Sequence, residues 1–234
     1  MYEMLLPSIL QRKLVRGIAC LDQKMLGSAL ARRVHAWEDR VFAKGRQMHP
    51  MNLDGPEEDE FLLTLSFYSA TVAMIFPYIE TLDPYARFDD GNLDERCKRC
   101  VMRFYRRCVQ RTLYLNGTNK VHLSKNPMFA GKVQALLGEF PDARFVVLMR
   151  NPYETIPSIL KMMSRNWKAS DCSRELIAES LAAMGRQSVY SYLHPDEVLA
   201  RHPETPALWV RYEELVERPL DVITGIYERF GISL

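Results

Sequence analysis

The 234-residue sequence has no marked excess of charge of either sign. Lysine and arginine number 31 and aspartate and glutamate 29, which gives a formal net charge of +2. Proteins whose main partner is nucleic acid usually carry a clear basic excess, so the composition argues against that class. Repeats and low-complexity segments are also missing. With 47% hydrophobic and 26% charged residues, the chain is typical of one globular domain.

Two further absences bear on the compartment and on metal binding. No secretory signal opens the chain, and the five cysteines are odd in number, which favours a reducing, cytoplasmic setting. Cys97 and Cys100 form a CxxC motif, but no fourth ligand follows at the spacing of a zinc site. We therefore expect a plain helical surface there and no metal.

Charge is absent from residues 61–79, a run that approaches the length needed to cross a bilayer. Hydroxyl side chains and Pro77 interrupt the run, and four acidic residues precede it directly: Glu57, Glu58, Asp59 and Glu60. These features argue against a stable membrane span. They favour a core helix that starts at Asp54 or Gly55, with Pro56 in its first turn and the carboxylates complementing its dipole.

The rest of the first half is predicted to be helical. Apolar residues at spacings of three and four over residues 7–44 predict one or two amphipathic helices, broken near Gly27. Asp83 and Pro84 predict the start of a loop. A basic helix is predicted over residues 93–115, where a solvated charged face is favoured over a nucleic-acid surface.

The second half alternates β-rich runs with helices. Strands are predicted at residues 120–124, 145–149 and 207–211, a pattern that indicates an α/β domain with a short parallel sheet. The run at 145–149 is apolar throughout, which predicts a strand buried on both faces.

The stretch after the second predicted strand is the most informative part of the chain. Asn151 can cap a new helix, Pro152 suits its first position, and Glu154 lies where a capping box places its carboxylate. Arg150 then lies at the carboxyl edge of the sheet, beside a helix N-terminus whose free N–H groups attract anions. A forked guanidinium there could bind a phosphate, and Ser158 could add a hydroxyl.

These residues resemble the 3′-phosphate-binding motif of sulfotransferases that use 3′-phosphoadenosine 5′-phosphosulfate (PAPS), in which Arg-Asn-Pro precedes a serine. Three further segments resemble the same family in the same order: residues 123–127, 140–145 and 209–219. One such motif is weak, but four in order are specific. The likeness covers about residues 120–230, and residues 48–61 resemble the bacterial branch of the family.

The resemblance implies a P-loop-like α/β sulfotransferase fold, a short parallel sheet surrounded by many helices. Residues 1–234 would form a single, partial domain, with a mostly helical acceptor-side region at 1–115 and an α/β region holding the 3′-phosphate site at 120–234. By the same likeness Arg150 and Ser158 would bind the 3′-phosphate. Lys125 would be a cation near the donor, against the alternative of a surface lysine at a strand end.

The implied reaction is transfer of a sulfuryl group from PAPS to a hydroxyl or amine of a small-molecule, glycan or lipid acceptor. Such a reaction needs a base for the acceptor's proton and no metal. The candidates are two histidines and three carboxylates: His122, His49, Glu57, Glu58 and Asp59. His122 alternates with apolar residues and also fits a core histidine. Glu58 and Asp59 also fit the structural role of acidic residues at a helix N-terminus.

The family's 5′-phosphosulfate loop, a Ser-Gly-Thr-Thr-like turn after a strand, has no match here, because Gly17 and Gly27 lie within helical patterns. The chain is therefore interpreted as truncated at its N-terminus and also past Gly231, through an error in the gene boundary, a late start or real loss. The alternative function is a non-catalytic remnant that at most binds 3′-phosphoadenosine nucleotides. Phosphoryl transfer is a nearer competitor, but the sequence has no Gly-rich loop ending in Lys and Ser or Thr, which P-loop enzymes of that class use to bind phosphate. The sequence names neither the acceptor nor the oligomeric state.

Overall fold

The computed structural model describes residue 6, residues 8–43, residues 53 and 55, and residues 57–233. The chain forms two compact units. The first comprises Met1–Leu65 with Phe104–Lys125, and the second comprises Ser66–Arg103 with Asn126–Leu234. The acceptor-side and donor-side regions are functional assignments, and they stay predictions.

Two helices open the first unit, α1 (Ile9–Leu26) and α2 (Ala29–Val41). They are separated at Gly27, which has the left-handed backbone (φ 54°) that glycine adopts without steric cost. Ser8 caps α1, and the carboxylate of Asp22 accepts the first backbone N–H groups of α2 at 2.9 Å. The predicted break near Gly27 is confirmed.

Helix α1 buries polar residues and exposes apolar ones. Arg12 is fully buried, and its guanidinium donates to the Oγ1 of Thr112 at 3.2 Å and to the carbonyl of Leu6 at 3.3 Å. The apolar stripe is exposed, at Leu10, Leu14, Ile18, Leu21 and Met25. Polar contacts therefore hold α1 in the first unit.

The predicted core helix over residues 61–79 is wrong, because the chain turns twice within that run. Helix α3 (Glu60–Leu65) is short, and Phe67 has a left-handed φ of 59°. A 3-10 helix (Ala70–Met74) follows, capped by Ser69, whose hydroxyl accepts a backbone N–H. The helix begins at Glu60 rather than at residue 54 or 55, and Asp54 and Pro56 lie outside the described residues.

In the part of the chain that the structure describes, no helix combines the length and the apolar character that a membrane crossing requires. The predicted loop start at Asp83 and Pro84 is also wrong. Both residues lie inside α4 (Ile79–Ala86), with Pro84 at its sixth position.

The basic helix is confirmed as α5 (Glu95–Asn116). The predicted strand at residues 120–124 is wrong, since the segment has no regular secondary structure and pairs with no strand among the described residues. The burial pattern of its side chains is also the reverse of that of a core strand, in which the apolar side chains are the buried ones. Val121 and Leu123 are exposed, whereas His122 and Ser124 are half-buried.

The second unit contains a parallel two-stranded sheet of β1 (Phe145–Met149) and β2 (Ala207–Arg211), in register from end to end. The connection between the strands includes α7 (Pro152–Ala169) and α8 (Arg174–Arg201). Both strands have the predicted bounds. A short parallel sheet among many helices fits the predicted α/β class.

Strand β1 is packed on one face only. Phe145 and Val147 pack against Val133 of α6 (Val133–Glu139) and against Val198 and Leu199 of α8. Val146 and Leu148, on the other face, are exposed. The expectation that this strand is buried on both faces is therefore wrong for the described residues, because only one face meets helices.

A second apolar cluster fixes α7 against α8. Trp167 of α7 is fully buried, and its indole N–H donates to the carbonyl of Ala73 at 2.7 Å. Ser180 of α8 donates to the carbonyl of Pro77 at 2.6 Å.

Two short helices, α9 (Tyr212–Glu217) and α10 (Pro219–Arg229), follow β2. The turn between β1 and α7 is thus built on packed elements at both ends.

Candidate active site

Arg150 leaves the sheet beside an aromatic ring. Met149 pairs with Arg211 at the ends of the two parallel strands, so the next residues, Arg150 and Tyr212, emerge side by side. The Cζ atom of Arg150 lies 4.8 Å from the centre of the Tyr212 ring. The exposed guanidinium thus stacks on the phenol ring, which restricts its motion and leaves N–H groups for an anion.

The N-terminus of α7 has the predicted cap but not the predicted free donors. Asn151 Oδ1 accepts the N–H of Tyr153 at 3.0 Å, and the Asn151 carbonyl accepts the N–H groups of Glu154 and Thr155 at 3.1 and 3.0 Å. Pro152 has no N–H. The first-turn donors are therefore occupied, and the expectation of free N–H groups is wrong. The positive end of the helix dipole still favours an anion there.

The capping bond also goes to the second helical position rather than the third. Within the described residues, the Glu154 side chain makes no return bond to the cap, so the predicted capping box does not form. Any phosphate at this turn would depend on side-chain donors, chiefly Arg150.

Ser158 lies on the exposed surface of α7, seven residues beyond the Asn151 cap. At 1.5 Å per residue this is roughly 10 Å along the helix axis. Its hydroxyl has no hydrogen-bond partner in the described parts of the chain. The structure thus leaves it as a donor that a ligand can use.

The first unit brings two of the candidate bases together with a residue that the sequence did not identify. The hydroxyl of Tyr105, on α5, donates to Asp59 Oδ2 at 2.6 Å. His122 Nε2 lies 3.0 Å from the same oxygen. Tyr105 was visible in the sequence only as an aromatic residue among arginines, and no local signal pairs it with an aspartate 46 residues away.

Burial would raise the pKa of Asp59, but hydrogen bonds from His122 and Tyr105 outweigh it and hold the pKa below its ordinary value. Asp59 is therefore ionised at neutral pH and a weak base. Burial and the nearby Asp59 carboxylate raise the pKa of Tyr105, so its hydroxyl remains a donor.

Two other candidates form an ion pair. Lys125 Nζ contacts Glu58 Oε1, and Lys125 is largely exposed. Exposed pairs contribute about 0–1 kcal/mol, so a ligand phosphate could recruit this lysine at small cost. His49 lies outside the described residues.

The second unit contains another histidine–aspartate pair that the sequence analysis missed. His194 Nε2, on α8, lies 2.8 Å from Asp89 Oδ2, and its Nδ1 lies 3.4 Å from Asp90 Oδ2. Tyr190 stacks on the imidazole at a centroid distance of 4.7 Å. The contacts join residues 105 apart in sequence, which no local pattern could indicate.

No group of three or more His, Cys, Asp and Glu side chains is placed to hold a metal ion in the described part of the molecule. Cys97 and Cys100 lie in the first two turns of α5, as expected of a helical surface.

Comparison with known proteins identifies the family. A profile of the sulfotransferase family matches residues 11–234. Two curated relatives are omega-hydroxy-beta-dihydromenaquinone-9 sulfotransferases (Stf3), from Mycobacterium bovis and Mycobacterium tuberculosis. Each is 26% identical over 201 residues, which cover 82% of this chain and 50% of the relative.

The chain thus spans about half the length of the curated relatives it matches. No solved structure gives a significant match. Because the family profile covers nearly the whole chain, and because the relatives are bacterial sulfotransferases, the chain belongs to the bacterial type of the sulfotransferase family.

Proposed function

We propose that this chain carries the 3′-phosphate site of a PAPS-dependent sulfotransferase. The observation that supports this most is the exposed Arg150 guanidinium, stacked on Tyr212 at the carboxyl end of β1. Guanidinium groups bind phosphate through two parallel hydrogen bonds, and the helix dipole of α7 adds favourable charge. Ser158 would supply a further hydroxyl to the same phosphate.

PAPS supplies the sulfuryl group in the proposed reaction. The acceptor's oxygen or nitrogen forms a bond to sulfur, the bond between sulfur and the phosphate oxygen breaks, and 3′,5′-ADP leaves with the electron pair. A base takes the acceptor's proton. His122 is favoured as that base, because Asp59 is held ionised and Glu58 is paired with Lys125. Lys125 would stabilise charge on the leaving phosphate.

The acceptor that we propose is a hydroxylated small molecule of lipid type. The printed name of both relatives describes an omega-hydroxylated menaquinone derivative, which presents a hydroxyl on an apolar chain. The alternatives to this acceptor are a glycan hydroxyl and an amine. We propose no nucleic-acid partner, and the cytoplasmic setting remains a prediction. The family match favours transfer over the non-catalytic remnant.

Calorimetric titration of the purified chain with 3′,5′-ADP tests the site. Arg150→Ala should weaken binding more than tenfold, which corresponds to about 1.4 kcal/mol. Arg165→Ala is the matched control, because Arg165 is an exposed arginine on the same helix, α7. It should change the dissociation constant less than twofold.

Unchanged melting temperatures would show that both variants keep the fold. If the folded wild-type chain fails to bind, or if the two arginine variants lose affinity equally, the proposed phosphate site is wrong.

A further inference from the structure

The position of one proton on His122 follows from the group that its Nε2 contacts. Asp59 Oδ2 lies 3.0 Å from Nε2 and also accepts the Tyr105 hydroxyl at 2.6 Å. An ionised carboxylate can only accept hydrogen bonds. A hydrogen bond between Asp59 and Nε2 therefore requires the proton to be on Nε2.

The other ring nitrogen is then the basic one. A neutral imidazole carries one proton, so a proton on Nε2 leaves a lone pair on Nδ1. Within the described residues, Nδ1 of His122 has no hydrogen-bond partner, and the side chain retains 16% of its accessible surface. The Nδ1 lone pair is thus used by no described protein group, in a side chain that is not fully buried.

Tyr105 acts on His122 through Asp59. Its side chain is 3% exposed, and its short hydrogen bond fixes the carboxylate oxygen that contacts Nε2. Other titratable groups on the elements around this cluster include the Glu58–Lys125 pair, Cys108 of α5 and the arginines of α5. Glu57 and Glu60 flank the segment that carries Asp59. Burial raises the pKa of the Cys108 thiol, so this group is neutral.

We propose that Asp59 and Tyr105 are positioning residues that hold His122 with its proton on Nε2, and that Nδ1 is the atom that accepts the acceptor's proton. The last step rests on the proposed function. In that step the acceptor's proton moves to Nδ1 as its oxygen bonds to sulfur, and the sulfur–phosphate bond electrons leave with 3′,5′-ADP. Asp59, which the sequence analysis considered as a candidate base, does not take the proton in this arrangement.

Nuclear magnetic resonance of the chain labelled with ¹⁵N-histidine tests the arrangement directly. In the wild type at neutral pH, His122 should show a slowly exchanging Nε2–H proton and an unprotonated Nδ1. The His122→Gln variant assigns these signals by removing them. Absence of the Nε2–H signal, or a proton on Nδ1 instead, would overturn the proposal without any further variant.

Two substitutions test the roles of the positioning residues. Asp59→Asn should abolish the slow exchange of the Nε2–H proton and produce a mixture of tautomers. Tyr105→Phe should cause a smaller shift in the same direction. Signals of His194 and His202 should stay in place in both variants, which shows that the fold is retained. If either variant leaves the His122 signals unchanged, the residue has no positioning role.

Binding of 3′,5′-ADP separates this inference from the proposed function. Neither Asp59→Asn nor Tyr105→Phe should change the affinity for 3′,5′-ADP more than twofold. A wild-type chain that binds 3′,5′-ADP but lacks the proton on His122 Nε2 would refute only the inference. Retention of the tautomer in a chain that binds no nucleotide would refute the donor site instead.

Discussion

The two units contain the same pair of residue types in different surroundings. In the first unit His122 Nε2 lies 3.0 Å from Asp59, and in the second His194 Nε2 lies 2.8 Å from Asp89. His194 is 2% exposed, with its second nitrogen facing another carboxylate and its ring stacked on Tyr190. His122 is 16% exposed, and only its Nε2 has a hydrogen-bond partner within the described parts of the chain.

The contrast shows that the second ring nitrogen separates a structural histidine from a candidate base. Asp89 also accepts two backbone N–H groups at the start of α6, from Gln134 at 2.8 Å and Ala135 at 3.0 Å. The His194 pair therefore ties α8 to α6 and leaves no open nitrogen. The His122 pair leaves Nδ1 for a ligand, as a proton acceptor requires.

Removal of each imidazole should give the largest difference between the pairs. His194→Ala removes a fully buried imidazole together with its contacts to Asp89 and Tyr190, and we expect it to lower the free energy of unfolding by about 3 kcal/mol. His122→Ala should lower it by about 1 kcal/mol, since Asp59 keeps its bond from Tyr105. Urea denaturation measures both. Equal losses would mean that His122 is as structural as His194.

For the tyrosines, we expect the larger loss of unfolding free energy in the first unit. Tyr105→Phe removes a 2.6 Å hydrogen bond to a buried carboxylate, and we expect a loss of about 2 kcal/mol. Tyr190→Phe removes a 2.9 Å bond to Asp90, whose side chain is 53% exposed, so about 0.5 kcal/mol is expected. The same urea experiments serve here. A larger loss for Tyr190→Phe would contradict the account, in which the Tyr105–Asp59 bond is the more buried of the two.

The acid limb of stability should depend on Asp59. Its folded pKa lies below the ordinary value, so its carboxylate stabilises the fold above about pH 4, and this contribution is lost as the pH falls through the lowered pKa. Asp59→Asn should therefore flatten the fall in the urea midpoint between neutral and acidic pH. Asp142→Asn, at an exposed aspartate, is the control and should keep the wild-type slope. A wild-type slope in both variants would refute the assignment.

Local signals predicted both strands, the basic helix and the cap of α7. The bounds of β1 and β2, the helix α5 and the Asn151 cap all follow from apolar runs and capping residues that are contiguous in sequence. The break within residues 61–79 could not be predicted in this way. An uncharged run does not reveal a left-handed residue such as Phe67. The segment at 120–124 has strand composition but no partner strand among the described residues.

Contacts distant in sequence limited the prediction of the site itself. Arg150 could be placed at the sheet edge, but its stacking on Tyr212 depends on the register of two strands far apart in the chain. The Lys125–Glu58 pair and the Tyr105–Asp59 bond join residues 67 and 46 positions apart. Composition and spacing carry no information on such pairs, which explains why Tyr105 was missed.

The central claim is that Arg150 recognises the 3′-phosphate of the donor, and two ligands that differ only in that group test it most directly. Calorimetry would compare 3′,5′-ADP with 5′-AMP, on the wild type and on Arg150→Ala. We predict that the substitution weakens 3′,5′-ADP more than tenfold and changes 5′-AMP less than twofold. Equal weakening of both ligands would show that Arg150 does not contact the 3′-phosphate and would contradict the account.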